Sequence, residues 1–282
     1  MSSLDKALLI LGCYSANRAV LGVTEAAAEV GLPKSSVSRL MKSMAEAGLL
    51  EPSQKRRGYS PGPLAFRLGN LYLKDDRVLD LIERASGRLV DEFGLTSYIG
   101  VLDGTEVVLI GVRQGSYPVR LVLPKGMRLP AHVTAVGLAL LARLPDSEIL
   151  RRFPDTVTYS ETGQVNSAVE ILALARKARA DGYARIESIT YRGFNAFAVA
   201  VANETDGHLF SVSLSCPEEL YTPELQARMR MRMLAEAREI GVTVGDPYWL
   251  ARPRDDASKP HSHSHEAPTR NPGADMANTT SA

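Results

Sequence analysis

Apolar and polar positions in the first part of the chain alternate with the period of an α-helix. Between Leu4 and Leu11 the apolar residues recur at the i, i+3, i+4, i+7 spacing, which predicts a helix with one apolar face. A second helix is predicted over "TEAAAEV", with Thr24 as its cap and Gly31 as the glycine that ends it. Pro33 suits the first turn of a third helix, because the missing N–H needs no partner there. The pattern therefore predicts helices separated by short turns.

The third predicted helix carries two chemically different faces. Its apolar stripe, expected to pack inward, consists of Val37, Leu40, Met41 and Met44. The polar residues that we assign to DNA contact are Lys34, Ser35, Ser36, Ser38, Arg39 and Lys42. A major groove accepts such a helix, since small hydroxyl groups reach base edges while cations reach phosphates. The alternative for this helix alone is an amphipathic helix with a solvated cationic face.

The stretch "GLLEPSQKRRGYSPG" after this helix favours the DNA-binding interpretation. It predicts a short strand, a turn that holds Lys55, Arg56 and Arg57, and a return strand. A basic hairpin after a recognition helix is a wing, whose cations lie against phosphates and add affinity without sequence information. The first 75 residues therefore predict a winged helix-turn-helix.

Further along, helical spacing over residues 64–93 predicts a connecting helix and then the first helix of a second domain. "SYIGVLDGTEVVLIGV" predicts a β-hairpin around Asp103-Gly104, and "PVRLVLP" predicts a third strand. The apolar run "AHVTAVGLALLARL" predicts a largely buried helix, and Asp146 is expected to cap the short helix after it.

The rest of this domain alternates again between helix and strand. An amphipathic helix is predicted from Ser167 to Gly182, followed by the strands "YARIESI", "FNAFAVAVAN" and "HLFSVSLSC". Thr222, Pro223 and an acidic first turn begin a final helix through Ile240. Strands joined by hairpins and flanked by helices indicate an α+β fold with an antiparallel sheet.

These patterns divide the chain into four parts. We assign residues 1–62 to the winged helix-turn-helix, 63–76 to a linker helix and 77–250 to the α+β domain. Residues 251–282 are polar and almost free of large apolar residues, so we expect a disordered tail. Its "HSHSH" run, residues 261–265, could chelate a transition metal, but nothing nearby would fix a geometry, and we predict no metal site.

Composition narrows the class of protein. The 282 residues are 45% hydrophobic and 23% charged with a formal net charge of +1, which is typical of globular proteins. Charge is uneven, however: residues 1–75 hold ten Lys or Arg against six Asp or Glu. Two cysteines exclude a disulfide framework, and no apolar run is long enough to cross a bilayer. We expect a cytoplasmic protein with no membrane partner and no cofactor.

The chain resembles the IclR family of bacterial transcriptional regulators over nearly all of residues 4–249. The resemblance is carried by "GLPKSSVSRL", "GYSPGPLAFRLG", "LPAHVTAVGLALLA", "DGYARIES" and "SVSLSCP". It implies a GAF-like effector domain that binds a small organic or aromatic acid. It also implies a homodimer or homotetramer on a (pseudo)palindromic double-stranded DNA operator, with either repression or activation as the outcome.

The family's effector positions correspond here to Leu121, Leu129, Ala135, Val136, Glu187, Ala196, Ser213 and Ser215. Two serines at alternate strand positions face the same side, where both hydroxyls can bond one ligand. Alanine at 196 replaces a frequent cysteine, and the resulting apolar wall favours a larger or less polar ligand. The alternative is a solvent-facing strand for the serines and ordinary core for the leucines.

Two other functions remain open from the sequence. The second domain could bind no ligand and only assemble oligomers. It could also be an acyl-transfer enzyme that uses Ser213, Ser215, Cys216 or His132, although no "GxSxG" elbow, phosphate loop or "HExxH" motif is present. We interpret His132 as structural, with its imidazole tying the preceding loop to the buried helix.

Overall fold

The computed structural model describes residues 1–15, 17–72, 76–159, 164–188, 190–203 and 207–253. The helices are α1 (Ser3–Gly12), α2 (Val23–Val30), α3 (Lys34–Glu46), α4 (Pro63–Tyr72), α5 (Arg77–Phe93), α6 (Ala135–Leu141), α7 (Asp146–Arg152), α8 (Ala168–Asp181), α9 (Pro223–Val244) and α10 (Pro247–Ala251). The strands are β1 (Leu50–Pro52), β2 (Tyr59–Pro61), β3 (Thr96–Asp103), β4 (Glu106–Arg113), β5 (Arg128–Pro130), β6 (Val157–Tyr159), β7 (Gln164–Asn166), β8 (Ala184–Glu187), β9 (Phe194–Ala202) and β10 (Leu209–Pro217). The predicted α+β fold with an N-terminal winged helix-turn-helix is confirmed.

Helices α1 to α3 pack around one small core. Ile10 of α1, Ala26 of α2, Val37 and Met41 of α3 and Leu50 of β1 are buried in it, so each of these elements contributes at least one apolar side chain. The helix-turn-helix is therefore stabilised by burial of apolar surface rather than by the charged side chains around it.

Two details of these helices differ from the prediction. Helix α2 begins at Val23, and its cap is Gly22 rather than Thr24, because the Glu25 carboxylate accepts the Gly22 N–H at 2.9 Å. The regular apolar face of α1 is largely exposed, with Leu4 at 67% and Leu8 at 56% of their surface. Ile10, which lies off that face, is fully buried, while Ala7 and Leu11 of the face pack against the same core and are partly buried.

The wing is a two-stranded hairpin closed against the chain before α2. Strands β1 and β2 pair antiparallel, with Leu50 opposite Pro61. Leu21 and Tyr59 exchange two backbone hydrogen bonds of 2.9 Å, which adds a third segment to the hairpin. Gly58 allows this approach, because a Cβ atom there would lie 2.6 Å from the Leu21 carbonyl oxygen.

The second half of the chain forms a six-stranded antiparallel sheet in the order β5-β4-β3-β10-β9-β8. Helices α5 and α9 cover one face, and α6 and α8 cover the other. Alternation along β10 separates the two cores, since Val212 and Leu214 face α5 and α9 while Ser211, Ser213 and Ser215 share the opposite face.

The predicted third strand is wrong: residues 114–127 contain no strand, and β5 begins only at Arg128. Apolar residues alternate in "PVRLVLP" because one side of this segment faces the core. The segment does not pair with a strand of the sheet. The predicted cap of α7 is also wrong, because Pro145 occupies that position. The Asp146 carboxylate instead binds Arg176 at 2.8 Å and Arg179 at 2.7 Å.

Candidate functional site

The recognition helix α3 holds its polar face outward because three apolar side chains fix its rotation. Val37, Met41 and Met44 are buried, and the backbone of Pro33 is extended immediately before the helix. Of the residues that we assign to DNA, Ser36 is half-buried and the others are exposed: Lys34, Ser35, Ser38, Arg39 and Lys42. The structure therefore brings the predicted hydroxyls and cations to one accessible surface.

The cations of α3 are largely unneutralised. Lys34 and Arg39 have no ion-pair partner among the described residues. Lys42 lies 3.8 Å from Glu46 one turn later, but both side chains are exposed, and such pairs contribute little. This face can accept phosphate oxygens without first breaking a strong internal pair.

The wing cations are not equivalent. Arg56 donates to the Glu25 carboxylate at 3.1 Å and to the Val20 carbonyl oxygen, so its guanidinium is held against the start of α2. The Gly22 N–H and then Arg56 hold the pKa of the Glu25 carboxyl below its usual value. Lys55 and Arg57 are exposed and have no such partner in the described part of the chain.

The second candidate site is a partly open cavity of about 60 Å³ between the α6 face of the sheet and residues 114–127. Strands β3, β4, β9 and β10 form one wall, and the start of α6 forms another. The lining residues are Tyr98, Leu109, Leu121, Leu123, Leu129, Thr134, Ala135, Val136, Ile186, Thr190, Tyr191, Phe194, Asn195, Ala196, Ser213 and Ser215. None of these lining residues is charged.

The structure brings seven of the eight predicted effector residues to this cavity, and the exception is Glu187. On the edge strand β8, Ile186 takes the cavity side, while Glu187 is exposed and lies 3.2 Å from Arg185. Glu187 borders a separate, wider cleft of about 630 Å³ that also includes Lys177. Leu121 reaches the cavity from an irregular segment and not from the strand that the pattern predicted.

Most hydroxyl groups around the cavity are already hydrogen-bonded. Tyr98 donates to the carbonyl oxygen of Leu121, and burial raises the pKa of its hydroxyl to about 12. The Thr190 hydroxyl donates to the Val133 carbonyl oxygen, and the Ser213 hydroxyl donates to the main-chain carbonyl oxygen of Tyr98 at 3.4 Å. The buried hydroxyl of Ser215 has no hydrogen-bond partner among the described residues. Of the two serines that line the cavity, Ser215 is therefore the one whose hydroxyl is available to hydrogen-bond a ligand.

Sequence reasoning missed several lining residues, foremost Tyr98, Tyr191, Phe194 and Asn195. Tyr98 could have been found from the sheet register, because it lies directly opposite Ser213 on the neighbouring strand. The others lie in or beside the chain between β8 and β9, where no periodic pattern indicates which side chain points inward.

His132 does not tie the loop to α6 by hydrogen bonds as we predicted. It is buried, neither ring nitrogen has a partner among the described residues, and the ring packs edge-on against Phe153 at 5.9 Å between centroids. Burial lowers the pKa of His132 and raises that of the Cys216 thiol to about 11. A neutral, apolar-packed imidazole and a protonated buried thiol are poorly suited to nucleophilic catalysis.

The "HSHSH" run, residues 261–265, lies outside the described residues. No helix in the described ranges combines the length and apolar character that crossing a membrane requires.

A winged helix-turn-helix joined to an α+β domain with a cavity is the architecture expected of a DNA-binding transcriptional regulator. Two family profiles agree with this class: "IclR helix-turn-helix domain" matches residues 3–53, and "Bacterial transcriptional regulator IclR C-terminal" matches residues 71–242. The chain belongs to the IclR family of bacterial transcriptional regulators.

Similar proteins are named for the same activity. The HTH-type transcriptional repressor AllR of Klebsiella pneumoniae is 27% identical over 86% of this chain and 90% of its own length. An IclR transcriptional regulator from Silicibacter sp. TM1040 has the same fold, with a TM-score of 0.77, 23% identity and coverage of 86% of this chain and 96% of that one. An IclR homologue from Microbacterium hydrocarbonoxydans, solved with 4-hydroxybenzoate, has a TM-score of 0.65, 20% identity and coverage of 86% and 99%.

Proposed function

We propose that this protein is a ligand-responsive regulator that reads an operator with α3 and the wing and binds a small organic or aromatic acid in the cavity. The observation that carries the proposal is the pairing of an exposed face of cations and hydroxyls with an uncharged, largely apolar cavity in one chain. Arg39 and the neighbouring serines would contact base edges, while Lys34, Lys42, Lys55 and Arg57 would contact phosphates. Arg56 would contribute mainly by holding the wing against α2.

The cavity supports binding of a compact organic ligand. Its apolar lining would surround the ligand body, and the Ser215 hydroxyl would supply a directed hydrogen bond. With no charged lining residue, the cavity offers an acid group only hydroxyls and main-chain N–H groups. The 4-hydroxybenzoate bound by the Microbacterium relative belongs to the chemical class that we propose.

Two exposed apolar surfaces support assembly into a homodimer or homotetramer. Leu4 and Leu8 of α1 are largely exposed, and so are Phe66, Leu68 and Leu71 of α4. Exposed apolar side chains that lie together on a surface mark interaction sites. A dimer would place two recognition helices on two half-sites of a (pseudo)palindromic operator in the cytoplasm.

The regulatory step would be differential affinity. An effector that binds one arrangement of the paired DNA-binding regions more tightly shifts the population toward it and changes operator affinity, typically about 5- to 150-fold. The sign of regulation follows from the position of the operator, so both repression and activation fit the same mechanism.

Fluorescence anisotropy on a duplex from the region upstream of this protein's own gene tests the proposal. We expect tight binding that weakens steeply between 50 and 200 mM salt, as phosphate contacts require. Addition of candidate acids, selected by thermal shift, should change the affinity for the duplex. Affinity that is indifferent to salt would contradict the DNA-binding surface.

The same measurements separate the alternatives. A domain that only assembles oligomers would show neither a thermal shift nor an effect of acids on DNA binding. An acyl-transfer enzyme would turn over the acids or their esters.

A further inference from the structure

Residues 114–127 form a cover over the cavity without regular secondary structure. Leu121 and Leu123 of this segment line the cavity, while Val119 and Val122 are exposed. The ends of the cover are fixed to the body of the domain: Tyr117 N–H donates to the Gly94 carbonyl at 3.0 Å, and Gly126 N–H donates to Leu109 at 2.7 Å. These two main-chain hydrogen bonds hold the ends of the cover and not its middle.

Tyr98 connects the middle of the cover to the sheet. It lies within β3, is 3% exposed, and its ring is part of the cavity wall. Its hydroxyl donates a hydrogen bond to the carbonyl oxygen of Leu121. One side chain therefore shapes the cavity and holds the segment that closes it.

The size of the cavity makes this connection important for ligand choice. About 60 Å³ is well below the ~150 Å³ of a protein cavity known to hold benzene. The opposite wall cannot easily yield, because β3 and β10 are paired on both sides and α6 is buried along its whole length. A ring-sized ligand that enters the cavity completely would therefore displace Leu121 and Leu123 outward and break the Tyr98 hydrogen bond.

We propose that Tyr98 is a specificity-determining residue that latches the cover, residues 114–127, and sets the threshold of ligand size for the cavity. Ligands that fit the closed cavity leave the latch intact, whereas larger ones must open it. The inference deepens the proposed function, since it takes the cavity to be the effector site.

Limited trypsin digestion of the full chain tests the latch without any ligand. Arg120 and Lys125 are exposed cleavage sites within the cover. In Tyr98→Phe the ring stays and the hydrogen bond is lost, so we expect cleavage at both sites to accelerate about fivefold, the population change that corresponds to ~1 kcal/mol. The matched control is Tyr248→Phe, which removes a 2.6 Å hydrogen bond to the Arg179 carbonyl, away from the cavity. Equal cleavage rates in the two variants would overturn the proposal.

A second measurement tests ligand size, with acetate and benzoate as probes in calorimetric titration. Tyr98→Phe should raise the affinity for benzoate relative to acetate about fivefold, because opening the cover no longer costs the hydrogen bond. An unchanged ratio would contradict the size threshold. Absence of any acid binding to the wild type and the variant would instead count against the proposed function, while the trypsin rates still decide the latch.

Discussion

The face of α3 that we propose for DNA and the cavity that we propose for an effector have opposite physical designs. On α3 the important groups are exposed and charged, and their internal partners are few or weak. Around the cavity the important groups are buried and uncharged, and most hydroxyls are bonded within the protein, with Ser215 as the exception. Affinity at the surface therefore comes from charge. Selectivity in the cavity comes from its shape and from the hydroxyl groups that have no hydrogen-bond partner among the described residues.

Removal of one surface cation gives the largest expected effect. Arg39→Ala should weaken operator binding about 10-fold or more, since a side chain bidentate to a base contributes ~1–3 kcal/mol. Anisotropy at fixed salt measures the effect, with Arg84→Ala on α5 as the matched exposed control. Equal losses in the two variants would show that α3 has no special role in reading DNA.

The second-largest expected effect is a loss of folding stability at acid pH, caused by the buried His132. Burial lowers the pKa of His132 in the folded state below its ordinary value of 6.5, so the unfolded state binds more protons as the pH falls through that value. His132 therefore destabilises the fold progressively below pH 6.5, by at most ~1.4 kcal/mol per pH unit.

Denaturant unfolding of the wild type and His132→Leu between pH 7.5 and 5 measures this contribution. The wild type should lose more stability than the variant over the acid part of the range. Parallel curves would mean that the imidazole does not titrate as a buried group.

Removal of the Ser215 hydroxyl is expected to have a smaller effect, which falls on ligand binding and not on folding stability. Ser215→Ala should leave the melting temperature unchanged or slightly raised, because the lost hydroxyl has no partner among the described residues. Binding of an effector acid should weaken about fivefold, as expected for one hydrogen bond. A clear fall in melting temperature would show that the hydroxyl is structural and that the cavity is not preorganised for a ligand.

Single substitutions of the wing arginines are expected to have the smallest effect on DNA affinity. They distinguish an arginine that is free to contact phosphate from one that is paired within the protein. Arg57→Ala should reduce the slope of log affinity against log salt by about one, since one phosphate contact is lost. Arg56→Ala should change that slope less, because its guanidinium is held by Glu25 and the Val20 carbonyl. A larger slope change for Arg56 would show that DNA competes successfully with Glu25.

Sequence patterns anticipated the surface site well. The stripe of Val37, Met41 and Met44 determines which side of α3 is buried, so the exposure of Lys34 and Arg39 follows directly. The pairing of Arg56 could not be anticipated, because Glu25 is 31 residues away and meets it only through the fold of the wing.

By itself the sequence determined the winged helix-turn-helix, the α+β class and the polar face of α3, because helical and strand periodicity are local properties. Only the tertiary structure decided that residues 118–124 form part of the cover instead of a strand, and that Tyr98 meets Leu121 across the cavity. It also decided that Glu187 lies outside the cavity and that Ser215 keeps an unbonded hydroxyl. These outcomes depend on contacts between segments far apart in the chain, which local pattern does not encode.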